Sequence, residues 1–220
     1  MSSNVSKLCI ICETRRPRRH CPGLRAEICS LCCGTSREVT VDCPLDCTYL
    51  QEARRHERMP ELDREKLPNP DVKITEQFLE SNAGLFNFLS AAVLRQALAV
   101  PGVIDSDVRE ALDALARTYR TLQSGLVYET RPANLLAAGL QDRLREELSD
   151  FLKGAKENSG METIRDADVL GILVMLQRLA FSHDNGRPRG RAFIDYLQQG
   201  LGGPGALARE PGGSNLIVPA

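Results

Sequence analysis

The chain has no tryptophan, few aromatics of any kind (5%) and only three histidines. Any core must therefore be built mainly from Leu, Ala, Val and Ile. No apolar run reaches the length needed to span a bilayer. The two most apolar stretches, Leu85–Ala99 and Val169–Phe181, are short and carry Arg95 and Arg178. The N-terminal Met1-Ser-Ser-Asn-Val-Ser-Lys has no apolar segment of the secretory kind. Charge of either sign is also not in excess: the net charge is −1, giving no whole-chain attraction to nucleic acid or anionic lipid. Cysteine is missing from everything after Cys47. These absences read as a cytoplasmic protein without membrane contact, in a compartment where close cysteine pairs signal metal more often than disulfides.

What is present is concentrated. All eight cysteines lie between Cys9 and Cys47, in the order Cys9-x2-Cys12, Cys21, Cys29-x2-Cys32-Cys33 and Cys43-x3-Cys47. Close pairs of this kind grip one ion from a tight turn, and eight thiolates suit two tetrahedral sites. Cys9, Cys12, Cys21, Cys29, Cys32, Cys33, Cys43 and Cys47 are therefore the expected ligands of two Zn2+ ions. An iron–sulfur cluster is the alternative, since four thiolates also suit such clusters. In the expected cross-brace, Cys9 and Cys12 share an ion with two of Cys29, Cys32 and Cys33. Cys21, the remaining cysteine of that group, and the Cys43/Cys47 pair make the second site. His20 is a candidate substitute ligand. Residues 1–50 hold too little apolar material for a core, so metal is expected to supply most of their folding free energy.

Cys21-Pro22, then Ile28-Cys29-Ser30-Leu31 and Cys33, following an opening Cys9-x2-Cys12, resembles the cross-brace HIT-type zinc fingers and, more loosely, the MYND fingers. The family's next ligand after Cys-Pro falls here on Leu24, its usual histidine is absent after Cys33, and Cys32 is extra. The resemblance covers residues 9–47 and none of the chain beyond. It implies a compact two-zinc module that mostly contacts other proteins, and it transfers no catalytic residue.

Four zones are expected: a two-site zinc domain (1–50), a charged linker containing a short helix (51–72, helix Gln51–Met59), a helical bundle of four to five helices (73–200), and a flexible Gly/Pro-rich tail (201–220) ending in Leu216-Ile217-Val218. The fold class is thus a zinc-stabilised cross-brace finger joined to an all-α bundle. The first long helix should start near Thr75, stop before Pro101-Gly102 and be apolar on most sides. The second should be capped by Asp107 with Glu110 completing a capping box. It carries the stripe Val108, Leu112, Leu115, Tyr119, Leu122 and Leu126. The third should begin around Pro132, with Leu136, Leu140, Leu144, Leu148, Phe151 and Ala155 on one side, and stop near Gly160. The fourth, Asp166–Ser182, reads as buried and ends at Asn185-Gly186. Arg191–Gln199 reads as a short fifth.

Two basic clusters stand out. Arg15-Arg-Pro-Arg-Arg19 fills the loop between Cys12 and Cys21, and Arg187-Pro-Arg-Gly-Arg191 follows the fourth helix. Arg15, Arg16, Arg18 and Arg19 are candidate phosphate contacts. Equally, they can balance the charge of about −2 left by four thiolates on one Zn2+. No aromatic interleaves with them, so base stacking has no support. No trio of nucleophile, base and orienting group is evident; His183 beside Asp184 reads as a helix-ending histidine. The functional expectation is a non-enzymatic, zinc-binding interaction or adaptor protein, with the helices supplying a surface for an unidentified protein partner or for homo-oligomers. The alternative is binding of RNA or DNA through the arginine loop. A third reading is an enzyme with its site among the helices.

Overall fold

The structure, a computed structural model, describes residues 8–57, 66–159 and 164–201. The tail with Leu216-Ile217-Val218, and residues 58–65 of the expected linker, lie outside the described residues.

A two-stranded antiparallel hairpin, β1 (Arg19–Cys21) and β2 (Ala26–Ile28), pairs Arg19 with Ile28, His20 with Glu27 and Cys21 with Ala26. Its turn is tight. A Cβ on Gly23 would stand 2.3 Å from the Asp42 carbonyl oxygen, so only glycine lets the backbone approach so closely. Two short helices complete the finger, α1 (Ser30–Ser36) and α2 (Thr48–His56). Among the described residues its buried apolar side chains, cysteines aside, are Ile28, Val41 and Leu50. At roughly 1.5–3 kcal/mol per buried aliphatic side chain, three of them fall far short of the entropy of ordering this segment.

Six helices follow among the described residues: α3 (Glu76–Ser81), α4 (Ala83–Ala99), α5 (Asp105–Gln123), α6 (Leu135–Ser159), α7 (Asp166–Ser182) and α8 (Ala192–Leu201). The expected first long helix is two, because the chain breaks at Asn82, whose side-chain amide donates to the Phe78 carbonyl at 3.0 Å and ends α3. Thr75 caps α3, its hydroxyl accepting the Phe78 amide. Helix α5 begins two residues before the expected cap: Asp107 sits inside the first turn and accepts the Ile104 amide. Helix α6 begins after Asn134, whose carboxamide accepts the Leu136 amide, rather than at Pro132. Helix α7 has the bounds expected of it, and Gly186 takes the left-handed φ of +68° beyond it.

Helix α5 packs along α7 and α6, and α4 lies against α6, α8 and α7. One core joins them, including Leu89, Leu112, Leu144, Leu148, Leu173 and Phe193. The α5 stripe is buried at Val108, Leu112 and Leu115, while Leu126 lies past the helix end and is exposed. The apolar sides of α4 face this core, and Phe88 stacks on Phe151 at 4.1 Å between ring centroids. Gly171 lets the Phe78 ring lie directly on α7. The segment after the undescribed stretch is held in place: Arg178 donates to the carbonyls of Pro68, Asn69 and Val72, and Asn69 bonds Gln177 at 2.7 Å. No helix among the described residues is long and apolar enough to cross a membrane.

Candidate metal centre

The sulfurs of Cys9, Cys12, Cys29 and Cys32 lie within 4.8 Å of one another. Two local turns bring them there. In the first, the Cys9 carbonyl accepts the Glu13 amide, and the Cys9 amide donates to Arg15. In the second, Cys29 caps α1, and its sulfur accepts the Cys32 amide at 3.4 Å. The Ile10 amide donates to the Glu27 carbonyl, which ties the first turn to β2. The four cysteines are positioned to hold a metal ion.

Their acidities differ for physical reasons. The Thr14 hydroxyl, with the amides of Thr14 and Arg15, draws Cys12 down to about 5. Burial, then the neighbouring Cys29, Cys12 and Cys9, pushes Cys32 up to about 12. Burial also opposes ionisation of Cys9, but the amides of Cys29, Cys12 and Ile11 outweigh it, leaving Cys9 below its ordinary value. Four thiolates this close repel one another, and a divalent cation among them removes that penalty. The donor set is soft, with Cys9, Cys29 and Cys32 buried and Cys12 half-buried, and four thiolates suit a structural ion rather than one open to substrate.

The other four cysteines, Cys21, Cys33, Cys43 and Cys47, line one small cavity of about 20 Å3 beneath the hairpin turn. Arg19 Nη1 lies 3.3 Å from the Cys33 sulfur and Arg37 Nη2 3.9 Å from it. Arg19 also lies over the Tyr49 ring, 4.5 Å from its centroid. Burial pushes the Cys43 thiol above its ordinary pKa, opposed by the Glu38 amide and reinforced by the Glu38 carboxylate, Cys21 and Cys47. His20 also lines this cavity, with its Nδ1 facing Glu27 at 3.1 Å across the hairpin.

The two arginine clusters separate into different roles. Arg19 is engaged at Cys33, whereas Arg15, Arg16 and Arg18 are exposed and have no side-chain partner among the described residues. In the second cluster, Arg187 donates to the Arg37 carbonyl at 2.8 Å and faces Glu57. Arg191 reaches the Val103 carbonyl and Asp42. Both join finger to bundle.

Sequence reasoning missed the centre of that junction. Glu38 is 1% exposed. Its carboxylate accepts Arg54 Nη2 at 2.7 Å, the Arg191 amide at 3.0 Å and the Asn185 carboxamide at 2.9 Å. Its carbonyl accepts the Arg189 amide. The one local signal is the backbone: Glu38 has a φ of +51°, uncommon for a residue with a side chain. Arg54 also lies 2.8 Å from Asp195 of α8.

Beside this junction runs a cleft of about 930 Å3 between α2 and the α7–α8 corner. Several charges that line it are already paired within the chain, Asp184 with Arg109, Glu57 with Arg187 and Arg54 with Glu38. Asp184 does not orient His183, whose Nδ1 instead lies 2.8 Å from the Leu179 carbonyl, with its ring stacked on Tyr196. No family model, curated protein or solved structure matches this chain.

Proposed function

We propose that this protein is a non-enzymatic, zinc-binding interaction protein whose finger is organised by two ions and presented on a helical bundle. The carrying observation is the four-sulfur cluster of Cys9, Cys12, Cys29 and Cys32. Supporting a second ion are the four remaining cysteines around one cavity and the two guanidinium groups facing Cys33. Alternate cysteine pairs would then serve alternate ions, in the manner of a cross-brace. All-thiolate ligation favours zinc, which needs no open position and no redox partner. With every cysteine bound, the thiols are not available for catalysis.

The finger is anchored through Glu38, Arg54, Arg187 and Arg191. An anchored finger offers a fixed surface, as an adaptor requires. The test is a pull-down with metal retained, run beside the chelated chain. Protein partners lost on chelation support the reading; partners kept after chelation, or none in either arm, contradict it.

A second reading, RNA binding, is favoured by three exposed arginines, Arg15, Arg16 and Arg18, which have no side-chain partner among the described residues. It requires affinity that falls steeply with salt and disappears when all three become alanine. Absence of binding at low salt ends it.

A further inference from the structure

The intervening residues of the two Cys-x2-Cys turns share one physical situation. Ile10 and Ile11 lie between Cys9 and Cys12, and Leu31 lies between Cys29 and Cys32. The four flanking sulfurs are within 4.8 Å of one another, so both turns stand side by side over one ion position. In a segment with three buried non-cysteine apolar side chains among its described residues, burying these would be expected. Instead Ile10 is 59% exposed and Leu31 52%, with Ile11 also exposed. Aliphatic side chains grouped on a rigid turn pair, in a protein that needs them for its own core, mark a contact surface.

The charge beside them is equally specific. The Cys9 amide donates to the Arg15 carbonyl at 2.9 Å, and the Arg18 amide to the Ile28 carbonyl at 2.9 Å. The arginine loop is therefore stitched to the same turns. Arginines of the bundle are largely committed: Arg95 to Glu147, Arg109 to Asp184, Arg120 to Asp71 and Arg145 to Glu129. Arg15, Arg16 and Arg18 have no such partner among the described residues. At Cys33 the guanidinium groups that face the sulfur are those of Arg19 and Arg37.

From this juxtaposition we propose that Ile10, Ile11 and Leu31, bordered by Arg15, Arg16 and Arg18, form the docking site for an acidic protein segment carrying aliphatic side chains. The aliphatic tips take the partner's apolar residues, and the guanidinium groups take its carboxylates, bidentate where geometry allows. A nucleic acid would use the arginines and leave the three aliphatic side chains in water, which is why a protein segment is the better fit. The inference rests on the metal-module reading, because the turns keep this arrangement only while the ion is held.

The test is selection from a random-peptide display library on the metal-loaded full chain, followed by affinity measurement of a selected peptide. Enrichment of Asp and Glu interleaved with Leu, Ile or Phe supports the proposal. The triple variants I10S/I11S/L31S and R15S/R16S/R18S should each weaken that peptide by about tenfold or more, and only the arginine variant should flatten its salt dependence. Both should keep the parent's metal content and helical circular dichroism, which separates loss of the surface from loss of the fold. Peptides without acidic residues, peptides insensitive to either variant, or no enrichment overturn it. Binding of poly(U) RNA that ignores the aliphatic variant overturns it in favour of nucleic acid. A chain that holds no metal fails at the underlying reading instead, and elemental analysis shows that separately.

Discussion

The Glu38 carboxylate lies 2.7 Å from the Arg54 guanidinium, and both side chains are almost wholly withdrawn from water. Arg54 belongs to the finger's last helix, and it also faces Asp195 of α8. The finger and the bundle thus share a buried charge cluster, which is costly to leave incomplete. Replacing Glu38 with alanine leaves the buried Arg54 with Asp195 as the one remaining partner of the two, and leaves the Arg191 amide and Asn185 carboxamide without this acceptor. The expected loss is about 3 kcal/mol, read as a lower denaturation midpoint. Faster proteolysis near residues 37–42, with helical content retained at low temperature, should accompany it. Stability unchanged by Glu38→Ala would show that the finger and bundle are independent.

Asp105 is a further buried carboxylate at this corner, beside Glu38 and Asp195. Its two oxygens accept the amides of Phe193 and Ile194 at the start of α8. Burial raises it from an ordinary 3.8 to about 6, against the pull of those amides. Its folded value lies above its unfolded one, so its contribution to stability is fully present below the unfolded value and is lost as pH rises through about 6. Asp71 beside Arg120 and Asp168 beside Arg165 are lowered and act in the opposite sense. The stability of the parent minus that of Asp105→Asn should therefore fall between about pH 4 and pH 6, by on the order of 2 kcal/mol. Thermal denaturation of both proteins across that range checks it; a difference that grows with pH contradicts it.

Leu144 is fully buried on α6, in the core shared with α4 and α5. Leu144→Ala should cost about 3 kcal/mol from lost burial and the cavity left behind. The damage belongs to the bundle, so metal content per folded chain should stay that of the parent. Metal loss in this variant would mean that the bundle core, rather than the sulfurs, holds the finger together.

Local patterns made part of this legible. The spacing forecasts that Cys9 and Cys12 meet two of Cys29, Cys32 and Cys33, because Cys-x2-Cys turns act within a few residues; it leaves open which two, and the structure brings Cys29 and Cys32 to them. The continuous apolar character of α7 forecasts its burial, and its observed bounds, Asp166–Ser182 followed by Asn185–Gly186, are those the sequence suggests. The break at Asn82 was hidden because apolar residues continue on both sides and a single side-chain hydrogen bond decides it. Glu38 was not legible at all: its partners Asn185 and Arg191 lie far along the chain. The same distance hid the role of Arg187 and Arg191, whose partners Arg37 and Asp42 lie in the finger. Exposure of Ile10, Ile11 and Leu31 is likewise a tertiary fact, since aliphatic residues in a small domain are by default assigned to its core.

Metal stoichiometry by elemental analysis and native mass, on the parent and two paired variants, tests the central claim most directly. Two zinc per chain are predicted for the parent. One is predicted for Cys9→Ser/Cys12→Ser, and one for Cys43→Ser/Cys47→Ser, with the bundle helices retained in both. Iron with visible absorbance, no metal at all, or a zinc count that ignores Cys43 and Cys47 would contradict the account.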